Sequence, residues 1–224
     1  METTLHRELK TLYAGKDARF EVAVDGFRID VVSRGRLVEI QHGPLAAIRR
    51  KVERLLEGHR VLVVKPIVVH KRLVKQSAPG GRVTGARMSP KRGRLVDLFN
   101  ELVHFGRVFP HPRLTLEVAL VDVEEWRFPG HGRRHRWRMD DHQVEDQRLI
   151  KVREVHRLRT ANDLRRLVPC SLAQPFHTGQ LAESLGVPRW VAQRIAYCFR
   201  NMGVVRPVGK EGNAWMYEWL ASGG

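Results

Sequence analysis

The chain has 224 residues, enough for one large domain or two small ones. Its 40 Lys and Arg residues against 24 Asp and Glu give a formal net charge of +16, which argues against an ordinary small-molecule enzyme and for a polyanionic partner. Two cysteines, Cys170 and Cys198, exclude a disulfide framework and a four-thiolate zinc site. They suggest a reducing compartment. No apolar run reaches the ~20 residues of a membrane span, and the polar first ten residues lack the apolar centre of a signal peptide. The expectation is a cytoplasmic protein without membrane contact.

The first element is a helix over residues 3–14, with Leu5, Leu9 and Leu12 on one face and Gly15 as its stop. Three strands follow. Residues 20–24 alternate apolar and polar, Asp25-Gly26 is a hairpin turn, 27–32 return, Arg34-Gly35 turns again, and 36–41 form the third strand. Ile29, Val31, Val38 and Ile40 are expected on one buried face, with the acids of these strands on the other. Pro44 opens a helix to Glu57 with Leu45, Ile48, Val52, Leu55 and Leu56 at helical spacing. Residues 61–69 are almost continuously apolar, as in a buried strand parallel to one of the first three. The order is α-β-β-β-α-β.

Residues 68–94 hold Lys71, Arg72, Lys75, Arg82, Arg87, Lys91, Arg92 and Arg94 and no acidic residue, with glycines and prolines interspersed. This stretch reads as a mobile basic loop or long hairpin lying along a phosphate backbone. Residues 95–104 have helical spacing, 114–123 and 148–158 are strand candidates, and Trp126 and Trp137 read as packing residues. Between the two strands, His131, His135, Asp140, Asp141 and His142 stand among Arg133, Arg134, Arg136 and Arg138. Their spacing follows no zinc pattern and the arginines would repel a cation, so a basic loop or flexible hairpin is the better reading.

In the last fifty residues, Thr178 is a suitable cap for a helix over 180–185, Gly186-Val187 turns the chain, and Pro188 opens a helix to Met202. Strands at 204–208 and 214–219 flank a glycine-containing tip. Leu181, Ala182, Leu185, Ala192, Ile195, Ala196, Phe199 and Met202 make a small core. The pattern resembles a winged helix-turn-helix. That resemblance implies a second helix in the major groove, presenting Arg189, Trp190, Gln193, Arg194 and Tyr197, with Lys210 on the wing. The alternative is that the module packs on the first domain or on a second subunit.

Asp30 lies in the second predicted strand, and Glu39 and Gln41 lie two apart in the third. Carboxylates on adjacent strands, only ~5 Å apart, can converge on one divalent ion. Asp30 followed by Glu39-Ile40-Gln41, on consecutive strands before a helix, resembles the PD-(D/E)XK nuclease core. The resemblance implies Asp30 and Glu39 as ligands of Mg²⁺ or Mn²⁺, with Glu8 on the first helix as an optional third acid. Gln41 stands where that family has Lys, so it can hold a water but brings no charge. Lys51 on the following helix is the first candidate to supply the missing cation, and Lys65 is the second.

The sequence thus suggests an α/β (α+β) protein with a nuclease-like domain at 1–168, including a basic extension over 68–168, and a winged helix at 169–224. The activity expected is Mg²⁺-dependent endonucleolytic cleavage of DNA. An inert DNA-binding regulator or architectural protein, and an RNA-binding or RNA-processing factor, are the alternatives. A homodimer stays open as an assembly.

Overall fold

The computed structural model of the protein describes residues 2–130, 141–169 and 172–220. The expectations for His131, Arg133, Arg134, His135, Arg136, Trp137, Arg138, Asp140 and Cys170 lie outside the described residues. Helix α1 (Thr4–Tyr13) leads into strands β1 (Arg19–Val24), β2 (Phe27–Ser33) and β3 (Arg36–Ile40), then helix α2 (Leu45–Leu55) and strand β4 (Arg60–Gln76). Asp25-Gly26 (φ +49° and +81°) and Arg34-Gly35 (φ +51° and +68°) both take two successive left-handed residues. That is the turn whose twist matches a β-hairpin. β1, β2 and β3 are therefore antiparallel neighbours, and α2 carries the chain over to β4, parallel to β3 from Arg36↔Arg60 to Ile40↔Val64.

β4 runs on beyond its expected end at Val69 to Gln76, and β5 (Val83–Met88) returns antiparallel to it. Of the two readings of the basic stretch, loop or long hairpin, residues 72–88 thus take the hairpin. Pro66 falls between the last pairing with β3 at Val64 and the first with β5 at Arg72, where a missing N–H breaks no ladder on that side. A single 3₁₀ turn (Leu95–Asp97) and helix α3 (Leu98–Phe105) form a second crossover, to β6 (Leu114–Pro129), parallel to β4 on its other side. β7 (His142–Leu158) pairs antiparallel with β6, and both strands are longer than the sequence pattern shows. Among the described residues the large sheet is seven-stranded, ordered β1-β2-β3-β4-β6-β7 with β5 beside the far half of β4.

Both faces of this sheet are buried. α1 covers one, packing Leu5 and Leu9 on Val31, Val38, Ile40, Leu62, Val64 and Val121. α2 and α3 cover the other, where Ile29 and Leu37 join Leu45, Val52, Phe99 and Leu102. Ile29 and Val31 therefore lie in different cores, which corrects the expectation that Ile29 shares one buried face with Val31, Val38 and Ile40.

The chain continues through α4 (Ala161–Arg165), α5 (Thr178–Leu185), α6 (Arg189–Asn201) and a hairpin of β8 (Val205–Glu211) and β9 (Ala214–Trp219). His177, not Thr178, caps α5: its Nδ1 accepts the Gly179 and Gln180 N–H groups while Gln180 Oε1 accepts the His177 N–H. The inner face of α6 buries Val191, Ala192, Ile195 and Phe199 in the same core as α3. Phe99 and Phe199 meet edge-to-face with centroids 5.3 Å apart, and Cys198 Sγ lies 3.9 Å from the Phe99 carbonyl.

Because that core is continuous, Phe199→Ala should cost about 3–5 kcal/mol and lower one cooperative transition. Tryptophan fluorescence and far-ultraviolet circular dichroism in urea should lose signal together; two separated transitions would show that the helical unit melts independently.

Candidate functional site

The β2–β3 hairpin brings Asp30 and Glu39 together. The regular pairing runs Ser33↔Arg36, Val32↔Leu37 and Val31↔Val38, and at the next step the Asp30 side chain enters the ladder: its Oδ2 accepts the Ile40 N–H at 2.7 Å. Opposite it on β1, Glu21 has φ +54°. The strand turns about its axis here, which sends Ile29 and Val31 into different cores. Asp30 Oδ1 receives a hydrogen bond from His6 Nε2 of α1 at 3.1 Å.

Glu39 points toward α2 and is only 8% exposed. Its Oε1 accepts from Lys51 Nζ at 2.6 Å, and the same ammonium donates to the Arg28 carbonyl at 2.5 Å. Its Oε2 is buried without a hydrogen-bond partner among the described residues. Burial and then the Asp30 charge push the Glu39 carboxyl above its ordinary range, while Lys51 pulls the other way. Burial alone would also raise Asp30, but the His6 hydrogen bond, the Ile40 N–H and the nearby cations outweigh it and hold that carboxyl low. Two neighbouring acids are thus driven apart in proton affinity.

The other expected residues divide. Gln41 follows Ile40 with its N–H on the Val64 carbonyl, and its amide nitrogen donates to Pro44 O at 2.8 Å, leaving the amide oxygen to offer. Lys65 is buried and spent on the His42 and Gly43 carbonyls, at 3.2 and 2.6 Å, and lies 3.6 Å from Glu101. It fixes the loop after Gln41 and does not reach the acid pair; Lys51 does. Glu8 Oε2 accepts the Leu149 N–H of β7 at 2.7 Å, so the backbone of another strand engages one oxygen of the expected third acid. Among the described residues no group of three or more His, Cys, Asp or Glu is arranged to hold a metal. His6 was not read from the sequence as a site residue, and its only signal is its place beside Leu5 on the buried side of an amphipathic helix.

The basic stretch is less free than its composition implies. Lys71 pairs with Glu125 at 2.5 Å and Arg72 with Glu124 at 2.7 Å, acids supplied by β6 from far along the chain. Arg92 donates to the Ser89 carbonyl, and Arg94 to the Leu185 and Gly186 carbonyls at the end of α5. Lys75, Arg82, Arg87 and Lys91 are exposed and have no carboxylate partner among the described residues. On α6, Arg189, Trp190, Gln193 and Tyr197 are exposed, whereas Arg194 donates to Asn100 of α3 at 2.7 Å and stacks over Trp190. Lys210 lies 4.8 Å over the Trp215 ring on the hairpin.

The profile of a domain of unknown function, DUF8091, matches residues 3–159. The chain belongs to this family. It is also similar to an uncharacterized protein of Treponema pallidum (strain Nichols), 28% identical over 219 residues that cover 96% of this chain and 84% of the relative. No solved structure matches.

The His6–Asp30 bond sets a pH window. His6 is raised chiefly by the Asp30 hydrogen bond, so its contribution is full below the ordinary histidine value near 6.5 and is lost as pH rises through the raised one. Asp30 is lowered, so its contribution is full above the ordinary Asp value near 3.8 and is lost as pH falls through the depressed one. The destabilisation by Asp30→Asn should therefore be largest between these values and shrink at alkaline pH. An NMR titration should show the His6 ring titrating at lower pH in that variant than in the parent.

Proposed function

We propose that the protein is a divalent-cation-dependent nuclease that hydrolyses phosphodiester bonds in DNA, with a restriction-endonuclease-like amino-terminal part and a winged-helix carboxy-terminal part. The observation that carries this reading is the Glu39 carboxylate, buried with one oxygen on Lys51 and the other unpartnered, beside Asp30 on the neighbouring strand. An orphaned buried carboxylate oxygen is costly unless something satisfies it, and hard oxygen donors suit Mg²⁺ or Mn²⁺. The residues present therefore fit such an ion, with Asp30 and Glu39 as its holders. When bound, the cation would supply Lewis acidity toward a phosphoryl oxygen and a lowered proton affinity for water.

The chain's own groups have separable tasks. His6 and the Ile40 N–H orient Asp30 and keep it ionised. Lys51 favours the ionised form of Glu39 and supplies the positive charge that Gln41 lacks two positions after the glutamate. Gln41 can hold a water through its amide oxygen. The order α-β-β-β-α-β with β3 parallel to β4 supports the same assignment. A second reading, a non-cleaving nucleic-acid binder, is favoured by one fact: both Asp30 oxygens are already engaged.

Supercoiled plasmid, linear duplex, single-stranded DNA and structured RNA, each with Mg²⁺, Mn²⁺ or EDTA, separate these readings. Metal-dependent cleavage of DNA is expected, abolished by Asp30→Ala and by Glu39→Ala with binding retained. Lys51→Ala should shift the acid limb of the rate profile to higher pH, because Glu39 loses the cation that lowers it. Intact substrate under every metal condition would leave the binder reading.

Binding itself should depend on the unpaired cations. Replacing Lys75, Arg82 and Arg87 with Ala should flatten the plot of log affinity for duplex DNA against log salt by roughly two to three units. Lys71→Ala with Arg72→Ala, whose charges Glu125 and Glu124 already neutralise, should change it by less than about one.

A further inference from the structure

At the other end of the parallel strands lies a cleft of about 490 Å³, lined by Arg34, Arg36, Arg60, Arg113, Arg159 and His111. The arginines arrive from separate places. Arg34 is in the β2–β3 turn, Arg36 and Arg60 begin the adjacent parallel strands β3 and β4, Arg113 precedes β6, and Arg159 follows β7. No Asp or Glu lines the cleft, and none of the five arginines forms an ion pair among the described residues. By contrast, Arg72, Arg153 and Arg157 are each neutralised by an acid of β6. Arg113 is held in place by the Leu56 and Glu57 carbonyls just beyond α2.

Five like charges gathered in one concavity repel one another, and the cleft walls concentrate their field. We infer that this cleft is a binding site for a chain of two or more phosphates. Guanidinium forks match phosphate oxygens two at a time, and five forks exceed what a single phosphate can engage. Among the described residues no Phe, Tyr or Trp lines the cleft, so the recognised group is the phosphate chain and not a stacked base. The phosphates can come from a nucleoside polyphosphate or from consecutive phosphodiesters of a nucleic acid. The site is distinct from the carboxylate pair: Arg36 stands three residues before Glu39, about 10 Å along the strand.

The test uses the full chain in EDTA, where no metal-dependent cleavage occurs, so it stands or falls separately from the nuclease reading. Tripolyphosphate, orthophosphate and a short single-stranded oligonucleotide are titrated by calorimetry against the parent, Arg60→Gln with Arg159→Gln, and a charge-matched control, Arg50→Gln with Lys151→Gln. Saturable tripolyphosphate binding, weaker for orthophosphate and about tenfold or more weaker in the cleft variant than in the control, is expected. A loss confined to the oligonucleotide, again in the cleft variant only, supports the site with nucleic acid as the phosphate source. Equal losses in cleft and control variants, or saturable binding of neither tripolyphosphate nor the oligonucleotide, overturn the inference. Should the double variant fail to fold, Arg159→Gln alone, at an exposed position, is held to the same criterion.

Discussion

The architecture depends on β4 being paired in parallel on both sides. Parallel neighbours cannot be joined by a tight turn, so each pairing demands a crossover. The two crossovers step in the same direction across the sheet, from β3 to β4 and from β4 to β6, and a common handedness puts both on one face. That is why α2 and α3 lie side by side and why α1 has the opposite face to itself. It also explains the near-continuous apolar run from Val61 to Val64, since a strand covered on both faces has no wet side. The carboxy-terminal helices then dock on α3, the outermost apolar surface left.

The same strands separate two electrostatic environments. Toward the carboxyl end of β3 the acids Asp30 and Glu39 are each steadied by a base from a helix, His6 from α1 and Lys51 from α2. At the amino ends the arginines gather in a cleft that no acid lines among the described residues. Beyond the acid pair, the long β4–β6–β7 arms carry paired charges: His70 and Arg153 meet at Asp122, and Lys71, Arg127 and Gln147 at Glu125. A large formal charge is therefore a poor guide to how much charge is available to a partner.

Local chemistry was readable and long-range chemistry was not. The two hairpin turns were legible because Asp25-Gly26 and Arg34-Gly35 carry their conformation in adjacent residues. The helices over 45–55 and 189–201 showed in their apolar spacing, and the acid pair and Lys51 could be placed once the element order was read. The neutralisation of Lys71 and Arg72 was hidden because Glu124 and Glu125 lie some fifty residues away in sequence. The hold on Glu8 was hidden for the same reason, since Leu149 lies 141 residues away on β7. The arginine cleft left no local signal at all: its members are single residues at the ends of different elements.

The seam between the sheet and the helical unit has one further property. Cys198 sits in it, buried beside the Phe99 carbonyl, and desolvation pushes its thiol up to about 12. Thiolate is the reactive form, so at neutral pH this sulfur is chemically silent while α6 lies on α3. Any alkylation or oxidation of Cys198 has to wait for α6 to lift, and its rate is set by the free energy of that local opening. The protein thus carries, at the junction of its two parts, an internal gauge of how often they separate.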